Sequence, residues 1–194
     1  FKQMAISAPA AGLLIFIMML FFFRSAPLVI APMIVAMATV IITMGTLIGM
    51  GFPVHIMSSM IPIFLMPIAV VDSVHMLSEF SDRYRPGMDK KQLAKDIVSG
   101  LYQPMLFTTI TSIVGFVSLN TADIPPVKVF GSFIAFGIAF AFVLSITFVP
   151  AYMASLSDKT LEKMAGKVHG NDEGNSLLAR LLRLFPLFTT RYNK

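Results

Sequence analysis

Asp72 is the residue whose chemistry most needs an explanation, because it is an acidic side chain well inside a long apolar run. A carboxylate within membrane hydrocarbon costs about 3 kcal/mol even on lenient insertion scales, so it usually faces a bundle interior or a wet cavity. There it carries protons, binds ions or contacts a ligand. His75 and Glu79 follow three and seven residues later, on the same helical face. The spacing therefore predicts a polar site centred on Asp72 and bordered by His75.

The composition is that of a polytopic membrane protein. Of the 194 residues, 56% are hydrophobic and 13% are charged, and the charges lie between apolar runs instead of along one helix face. The chain contains no cysteine, so it offers no disulfide or thiol chemistry. Its net charge of +5 does not indicate nucleic acid, since the basic residues flank apolar runs without aromatic residues interleaved for base stacking.

Five apolar runs are predicted to cross the membrane as helices, because a hydrocarbon core ~30 Å thick requires about 20 apolar residues. They are residues 4–23, 28–50, 56–79, 105–119 and 129–154. The first run is not a signal peptide, since it lacks a basic start and a small-residue cleavage site and four more runs follow. The predicted fold is an all-α membrane protein, with a five-helix transmembrane bundle over residues 1–155.

An odd number of spans puts the two termini on opposite sides of the membrane, and the basic residues indicate the orientation. With the N-terminus outside, one basic residue falls in the first cytoplasmic turn, five fall in Arg83–Lys95 and seven in Lys159–Lys194, thirteen of fifteen in all. Only Lys2 and Lys128 would lie outside. The positive-inside rule therefore predicts an extracytoplasmic N-terminus and a cytoplasmic C-terminus. Because the chain begins at Phe1 on the outer side, we expect it to be part of a longer protein.

Two cytoplasmic segments are predicted to form amphipathic helices along the membrane surface. Residues 89–101 place one apolar stripe opposite three lysines, with Asp89 as the cap of the helix. Residues 176–188 arrange leucines and phenylalanines around a helix that also carries two arginines. Residues 163–175 are rich in glycine and predict a flexible linker. We therefore expect residues 156–194 to form a cytoplasmic linker and an amphipathic helix.

Prolines and hydroxyl groups inside the apolar runs are candidates for shaping the site. Pro62 and Pro67 each remove a helical hydrogen bond, so a kink or break just before Asp72 is predicted. Serine and threonine usually bond to their own helix backbone. If the third and fourth runs pack together, however, some hydroxyls can reach the carboxylate. The candidate hydrogen-bond partners of Asp72 are Ser73, Thr108, Thr111 and Ser112.

Small residues recur at the spacing that lets two membrane helices approach closely. Gly45 and Gly49 form such a pair in the second run, and Gly131, Ala135 and Ala139 form a longer row in the fifth. These rows predict a packed bundle but do not indicate its function.

Several segments resemble a known superfamily of transporters. The segment Pro67-Ile-Ala-Val-Val-Asp-Ser-Val-His75 is similar to the fourth transmembrane helix of the resistance-nodulation-division (RND) superfamily. The later segments resemble the fifth and sixth helices of its MMPL-like exporter and sterol-sensing branch. They are Gln103-Pro-Met-Leu-Phe-Thr-Thr-Ile-Thr-Ser-Ile-Val-Gly-Phe116, Ile124-Pro-Pro-Val-Lys-Val-Phe-Gly131 and Phe148-Val-Pro-Ala151. The resemblance covers nearly the whole chain up to Ser155.

This resemblance implies that the five runs are helices two to six of one half of an RND transporter. The expected partners are periplasmic porter domains and the second half of the same polypeptide, together with membrane lipids and a homo-oligomer. The implied function is proton-driven export of lipids or other hydrophobic compounds across a bacterial inner membrane. Asp72 would belong to the proton relay, with the proton as coupling ion and no other cofactor. Ser73 stands where many of these exporters have tyrosine or a second acid, and His75 joins the relay only through its spacing from Asp72.

Two other functions stay open at this point. A SecD/SecF-like protein-export subunit shares a similar aspartate helix, although the segment Ile124–Gly131 favours the exporter branch. A lipid-sensing membrane domain without a transport cycle is the other alternative. An enzyme is not predicted, because no nucleophile, base and orienting group converge. No metal site is predicted either, since His55, His75 and His169 lack the spacing of metal ligands.

Overall fold

The computed structural model describes residues 12–20, 26–157 and 161. Residues 12–20 are helical and are labelled α1. Four long helices follow, α2 (Ala26–Gly49), α3 (Ile61–Arg83), α4 (Lys90–Val117) and α5 (Pro125–Ser155). Two short 3-10 turns, Ser58–Met60 and Ser118–Thr121, precede α3 and follow α4. The described residues contain no strand, which confirms the predicted all-α class.

Four helical stretches within the described residues are long and apolar enough to cross a membrane. They are Leu28–Gly49, Ser58–Arg83, Lys90–Thr121 and Pro125–Ser155. They overlap the last four predicted spans, and the last two stretches contain residues 105–119 and 129–154 completely. Of the first predicted span, residues 4–23, the structure describes α1 alone, and the linker and amphipathic helix predicted within residues 156–194 lie almost wholly outside the described residues.

Consecutive helices run in opposite directions, so each end of the bundle gathers alternate helix ends. One apolar core joins the beginnings of α2 and α4 to the ends of α3 and α5, and includes Leu28, Phe80, Ile97 and Met153. The charged residues between α3 and α4 lie at this same end. We call it the basic end, defined by Arg83, Arg85, Lys90, Lys91 and Lys95.

A second core lies at the opposite end of the bundle, where Leu47, Leu65, Phe130 and Ile134 meet. Large apolar side chains also remain on the outside of the helices, including Ile41 and Val114, which are 63% and 62% exposed. An apolar surface on every side of a bundle is unfavourable in water. It suits contact with lipid tails or with other transmembrane helices.

The surface helix predicted over residues 89–101 is not separate from the fourth span. Both belong to α4, a single helix of 28 residues. Asp89 caps it as predicted, since its side chain accepts a hydrogen bond of 2.9 Å from the Lys91 N–H. Pro104 lies inside the helix. It has no N–H to donate to the Gly100 carbonyl, but packing against neighbouring helices keeps α4 continuous. The prediction was wrong because a lone proline can be accommodated inside a membrane helix when packing supports it.

Of the two predicted rows of small residues, the one that begins at Gly131 makes a close helix contact and the pair Gly45 and Gly49 does not. A Cβ atom built at Gly45 or Gly49 would have no neighbour within 4 Å among the described residues. At Gly131 the same atom would clash with the Phe116 carbonyl oxygen, and at Gly137 it would lie 2.6 Å from Leu65 Cδ2. The close contacts are therefore made by α5, which passes against α4 near Gly131 and against α3 near Gly137.

Candidate functional site

Asp72 is the central residue of α3, with eleven residues of the helix on either side. At 1.5 Å per residue, it is about 17 Å from each end of the helix. Its side chain is half-buried. A carboxyl at this depth lies close to the middle of any bilayer that α3 crosses, where an ionised group is most costly.

Asp72 opens into a groove between α3 and α4, with a volume of about 370 Å³. We call it the Asp72 groove. The lining residues are Ile68, Val71, Asp72, His75, Leu101, Pro104, Met105, Thr108, Thr109, Ser112 and Ile138. This volume gives room for several water molecules beside the carboxylate. The groove therefore combines an apolar wall with a small set of groups that can hold a proton or orient water.

The α4 wall of the Asp72 groove follows the helical repeat. Leu101, Met105, Thr108 and Ser112 are four, three and four residues apart, so they form one stripe along the helix. Its first part is apolar and its second part carries hydroxyls. Thr109 is buried beside this stripe, and Thr111 is exposed on a neighbouring face outside the groove.

His75 borders two grooves. It lines the Asp72 groove one turn along α3, and it also lines a second groove of about 730 Å³ between α1 and α3. Ile15, Pro67 and Asp82 belong to this second groove, which we call the α1–α3 groove. The imidazole is exposed. His75 thus stands on the ridge of α3 that separates the two grooves, as expected for a residue that borders the Asp72 site.

Comparison with known proteins decides the family. The sequence model of the MMPL family matches residues 2–183, nearly the full length of the chain. The chain belongs to the MMPL family. It is also 26% identical, over 137 residues, to a protein of Methanocaldococcus jannaschii whose name calls it a membrane protein. That match covers 71% of this chain and 35% of the relative, so the chain spans about a third of the relative's length.

The hydroxyls proposed as partners of Asp72 donate to their own helix in this MMPL protein. Thr108 donates to the Met105 carbonyl at 2.9 Å, and Ser112 donates to the Thr108 carbonyl at 2.8 Å. Thr111 donates to carbonyls of its own helix at 2.9 and 3.0 Å. No hydrogen bond within the described part of the chain ends on the Asp72 carboxylate. Thr108 and Ser112 still border the groove with oxygen lone pairs that can accept from water.

Ser73 points away from the Asp72 groove, because successive helical residues differ by about 100° around the axis. Its hydroxyl lies 3.2 Å from that of Ser145, and both side chains are fully buried. The pair joins α3 to α5 in the interior of the bundle. Ser73 is thus a packing contact between helices, and its partner Ser145 carried no signal in the sequence beyond being a serine in an apolar run.

The two prolines of the third span have different roles. Pro67 lies inside α3, where its missing N–H leaves the Ile63 carbonyl without a helical partner. Pro62 is the second residue of α3 and directly follows the turn Ser58–Met60. At that position a helical N–H has no obligatory partner, so proline is tolerated. The predicted break before Asp72 is wrong, because α3 is one continuous helix of 23 residues. A kink at Pro67 stays a prediction, whereas Pro62 marks the start of the helix.

Metal-binding residues do not cluster in the described ranges 12–20, 26–157 and 161. No group of three or more His, Cys, Asp or Glu side chains there is placed to hold a metal ion. The Asp72 groove holds a carboxyl and an imidazole, two groups that can bind and release protons. His169 lies outside the described residues.

Proposed function

We propose that this chain is the membrane domain of a proton-driven MMPL exporter of lipids or other hydrophobic compounds, in which Asp72 binds the coupling proton. The five helices would be helices two to six of one half of the transporter. The second half of the same polypeptide and the periplasmic porter domains would complete it. The match to the MMPL family supports the exporter branch over the Sec-type protein-export subunit.

The observation that carries this proposal is the position of Asp72. It lies at the centre of a membrane-spanning helix, half-buried in a groove that is otherwise lined mainly by apolar side chains. Proton binding converts the carboxylate into a neutral acid and removes a penalty of about 3 kcal/mol for a charge near the bilayer centre. An energy of this size is enough to shift a two-state equilibrium by about a hundredfold.

The surroundings of Asp72 suggest how this change in the two-state equilibrium can move α3. Pro67, just over one turn before Asp72, leaves the Ile63 carbonyl without its helical bond, so α3 is weakened on that side. The Asp72 groove and the α1–α3 groove flank the same helix. We expect α3 to shift between these two spaces as Asp72 gains and loses its proton, and to transmit that shift to the porter domains.

The orientation of the domain follows from the charges. Five basic residues are gathered at the basic end, whereas Lys128 stands near the other end of the bundle. The positive-inside rule supports a cytoplasmic location for the basic end in the plasma membrane. The short turn Ser118–Thr121 would then face the extracytoplasmic side, which is the side of the porter domains.

The test is complementation by the full-length protein carrying Asp72→Asn. A deletion strain is compared with strains that express wild-type or variant protein, and lipidomics of the cell envelope identifies the lipids whose export depends on the wild type. Asp72→Asn keeps the shape of the side chain but cannot exchange a proton. We expect it to reach the membrane at the wild-type level and to lose at least nine-tenths of the export, as a protonophore should do to the wild type.

Asp96→Asn is the matched control, because Asp96 is an exposed acid that lines neither the Asp72 groove nor the α1–α3 groove. It should export at close to the wild-type rate. Gradient-dependent export by Asp72→Asn at the wild-type rate would refute the relay. Full complementation by Asp72→Asn that is also insensitive to the protonophore would instead support a lipid-sensing domain.

A further inference from the structure

A third groove lies at the basic end, between the first turns of α4 and the last turns of α5, well away from Asp72. Its volume is about 630 Å³. We call it the lysine groove, after Lys91 and Lys95. The lining residues are Lys91, Ala94, Lys95, Val98, Ser99, Tyr102, Pro150 and Ala154.

The lysine groove is cationic at one end and apolar at the other. Lys91 and Lys95 are one turn apart on the same face of α4, and Ser99 adds a hydroxyl one turn further on. Val98 and Tyr102 continue the wall toward the bundle centre, and the Tyr102 ring lies 6.0 Å from that of Phe142. Along the axis of α4, the residues that line the groove thus change from charged to apolar.

The opposite wall leaves space because α5 presents Pro150 and Ala154 there, whose side chains are small. The two helix ends are also tied together, since Lys90 Nζ donates to the Leu156 carbonyl at 2.8 Å. This bond anchors the start of α4 against the end of α5. The shape of the groove is therefore set by the protein's own contacts.

No acidic residue lines the lysine groove within the described residues. The Asp89 carboxylate caps α4, where it accepts from the Lys91 N–H. The Asp96 carboxylate accepts from the Gln92 side chain at 3.0 Å on another face of the helix. Among the described residues, no carboxylate of the groove neutralises the positive charge of the two lysines, which favours an anionic occupant.

The length of α4 places the charged end of the groove at the membrane surface. Residues 98–117 carry no charge, and these 20 residues are enough to cross a core ~30 Å thick. Lys95 and Lys91 precede this apolar stretch by three and seven residues, or about 4 and 10 Å along the helix. They thus reach the level of lipid headgroups, while Tyr102 and Pro150 lie at the depth of the upper acyl chains.

We infer that the lysine groove binds an anionic phospholipid from the leaflet at the basic end. Lys91 and Lys95 hold the phosphate and Ser99 donates to it, while an acyl chain lies along Val98, Tyr102 and Pro150. Basic pockets between transmembrane helices bind such headgroups by the same chemistry. The C-terminal segment of the chain is a poorer occupant, because residues 158–194 carry seven basic residues against four acids. The site does not depend on proton transfer at Asp72.

Native mass spectrometry of the purified full-length protein tests this inference by titration with phosphatidylglycerol and with phosphatidylcholine. We expect the wild type to bind phosphatidylglycerol more tightly. The double variant Lys91→Gln/Lys95→Gln should bind it about thirtyfold more weakly, equal to about 2 kcal/mol. Ala154→Leu, which fills the groove without changing a charge, should also weaken binding, so the test does not rest on the lysine variant alone.

Lys163→Gln/Lys167→Gln is the matched control, since it removes two lysines at the same four-residue spacing elsewhere in the chain. It should leave the affinity for phosphatidylglycerol unchanged. Equal losses in the two double variants would overturn the inference in favour of bulk electrostatics. Equal affinity of the wild type for both lipids would also overturn it, as would displacement of the lipid by millimolar glycerol phosphate, which would indicate a site for free phosphate.

Discussion

Replacement of Gly131 by alanine is the sharpest test of how the helices pack. The new methyl group would clash with the Phe116 carbonyl oxygen and would lie 2.8 Å from Leu119 Cβ. Contacts this short are not tolerated, so α5 must shift relative to α4. Because the nearest atom belongs to the backbone, a side-chain rotation cannot relieve the contact. Gly131→Ala therefore separates the two helices or strains one of them.

The cost of this substitution combines two opposing effects. Overpacking of a tight site costs about 1–3 kcal/mol, whereas alanine improves helix propensity over glycine by about 1 kcal/mol. Because the clash is with backbone atoms, the cost of overpacking lies in the upper part of its range. The net loss of stability is therefore about 1–2 kcal/mol. For a domain of this size 1 kcal/mol corresponds to about 2–4 °C, so the melting temperature should fall by about 2–8 °C.

Gly45→Ala is the matched control, because the new methyl group would have no described neighbour within 4 Å. We expect its melting temperature to stay the same or to rise by about 2–4 °C. Gly137→Ala should lie between the two, since the new methyl group there meets the Leu65 and Thr43 side chains, of which the leucine can adjust. The order of stability should therefore be Gly45→Ala, then Gly137→Ala, then Gly131→Ala.

The measurement is the fraction of fluorescent fusion protein that elutes as a single species from size-exclusion chromatography after heating in a mild detergent. Equal heating times and equal expression make the apparent melting temperatures comparable. A Gly131→Ala protein that melts within 1 °C of the wild type would refute the close α4–α5 contact. A larger loss in Gly45→Ala than in Gly131→Ala would contradict this order and would indicate a close helix contact at Gly45.

Two further predictions concern the loops. Asp89→Ala removes the bond to the Lys91 N–H and should lower the melting temperature by about 2–4 °C, because the loss of a cap costs about 1 kcal/mol. Asp96→Ala is its control, and an equal change in both variants would contradict the capping role. For the orientation, single cysteines are introduced into this cysteine-free chain as Met88→Cys and Thr121→Cys. In spheroplasts an impermeant maleimide should label Thr121→Cys and spare Met88→Cys, and the reverse pattern would invert the proposed topology.

Features that depend on local chemistry could be predicted along the chain. Apolar runs of sufficient length indicated the membrane class and the last four spans, because backbone groups in hydrocarbon must be satisfied within a helix. Asp72 stood out for the same reason, as a charge where charge is costly. The Asp89 cap was predictable too, since it involves only neighbouring residues.

Features that depend on the neighbours of a helix could not be predicted in this way. Gly45 and Gly49 are four residues apart but have no close neighbour in the described structure, whereas Gly131, which begins a row with the same spacing, packs against the Phe116 backbone. Ser73 is adjacent to Asp72 in sequence, yet it lies about 100° further around the helix and meets Ser145, 72 residues away.

Residue type and spacing decided that this protein spans a membrane as helices and that Asp72 lies among apolar residues, because hydrocarbon imposes the same requirements on every helix. The tertiary structure alone decided that Asp72 opens into a groove with Thr108 and Ser112, and that Lys91 and Lys95 face Pro150 and Ala154. The physical reason is that helix rotation is set by packing against neighbours. In α4 and α5 apolar residues surround the axis, so their own sequence leaves the choice of face open.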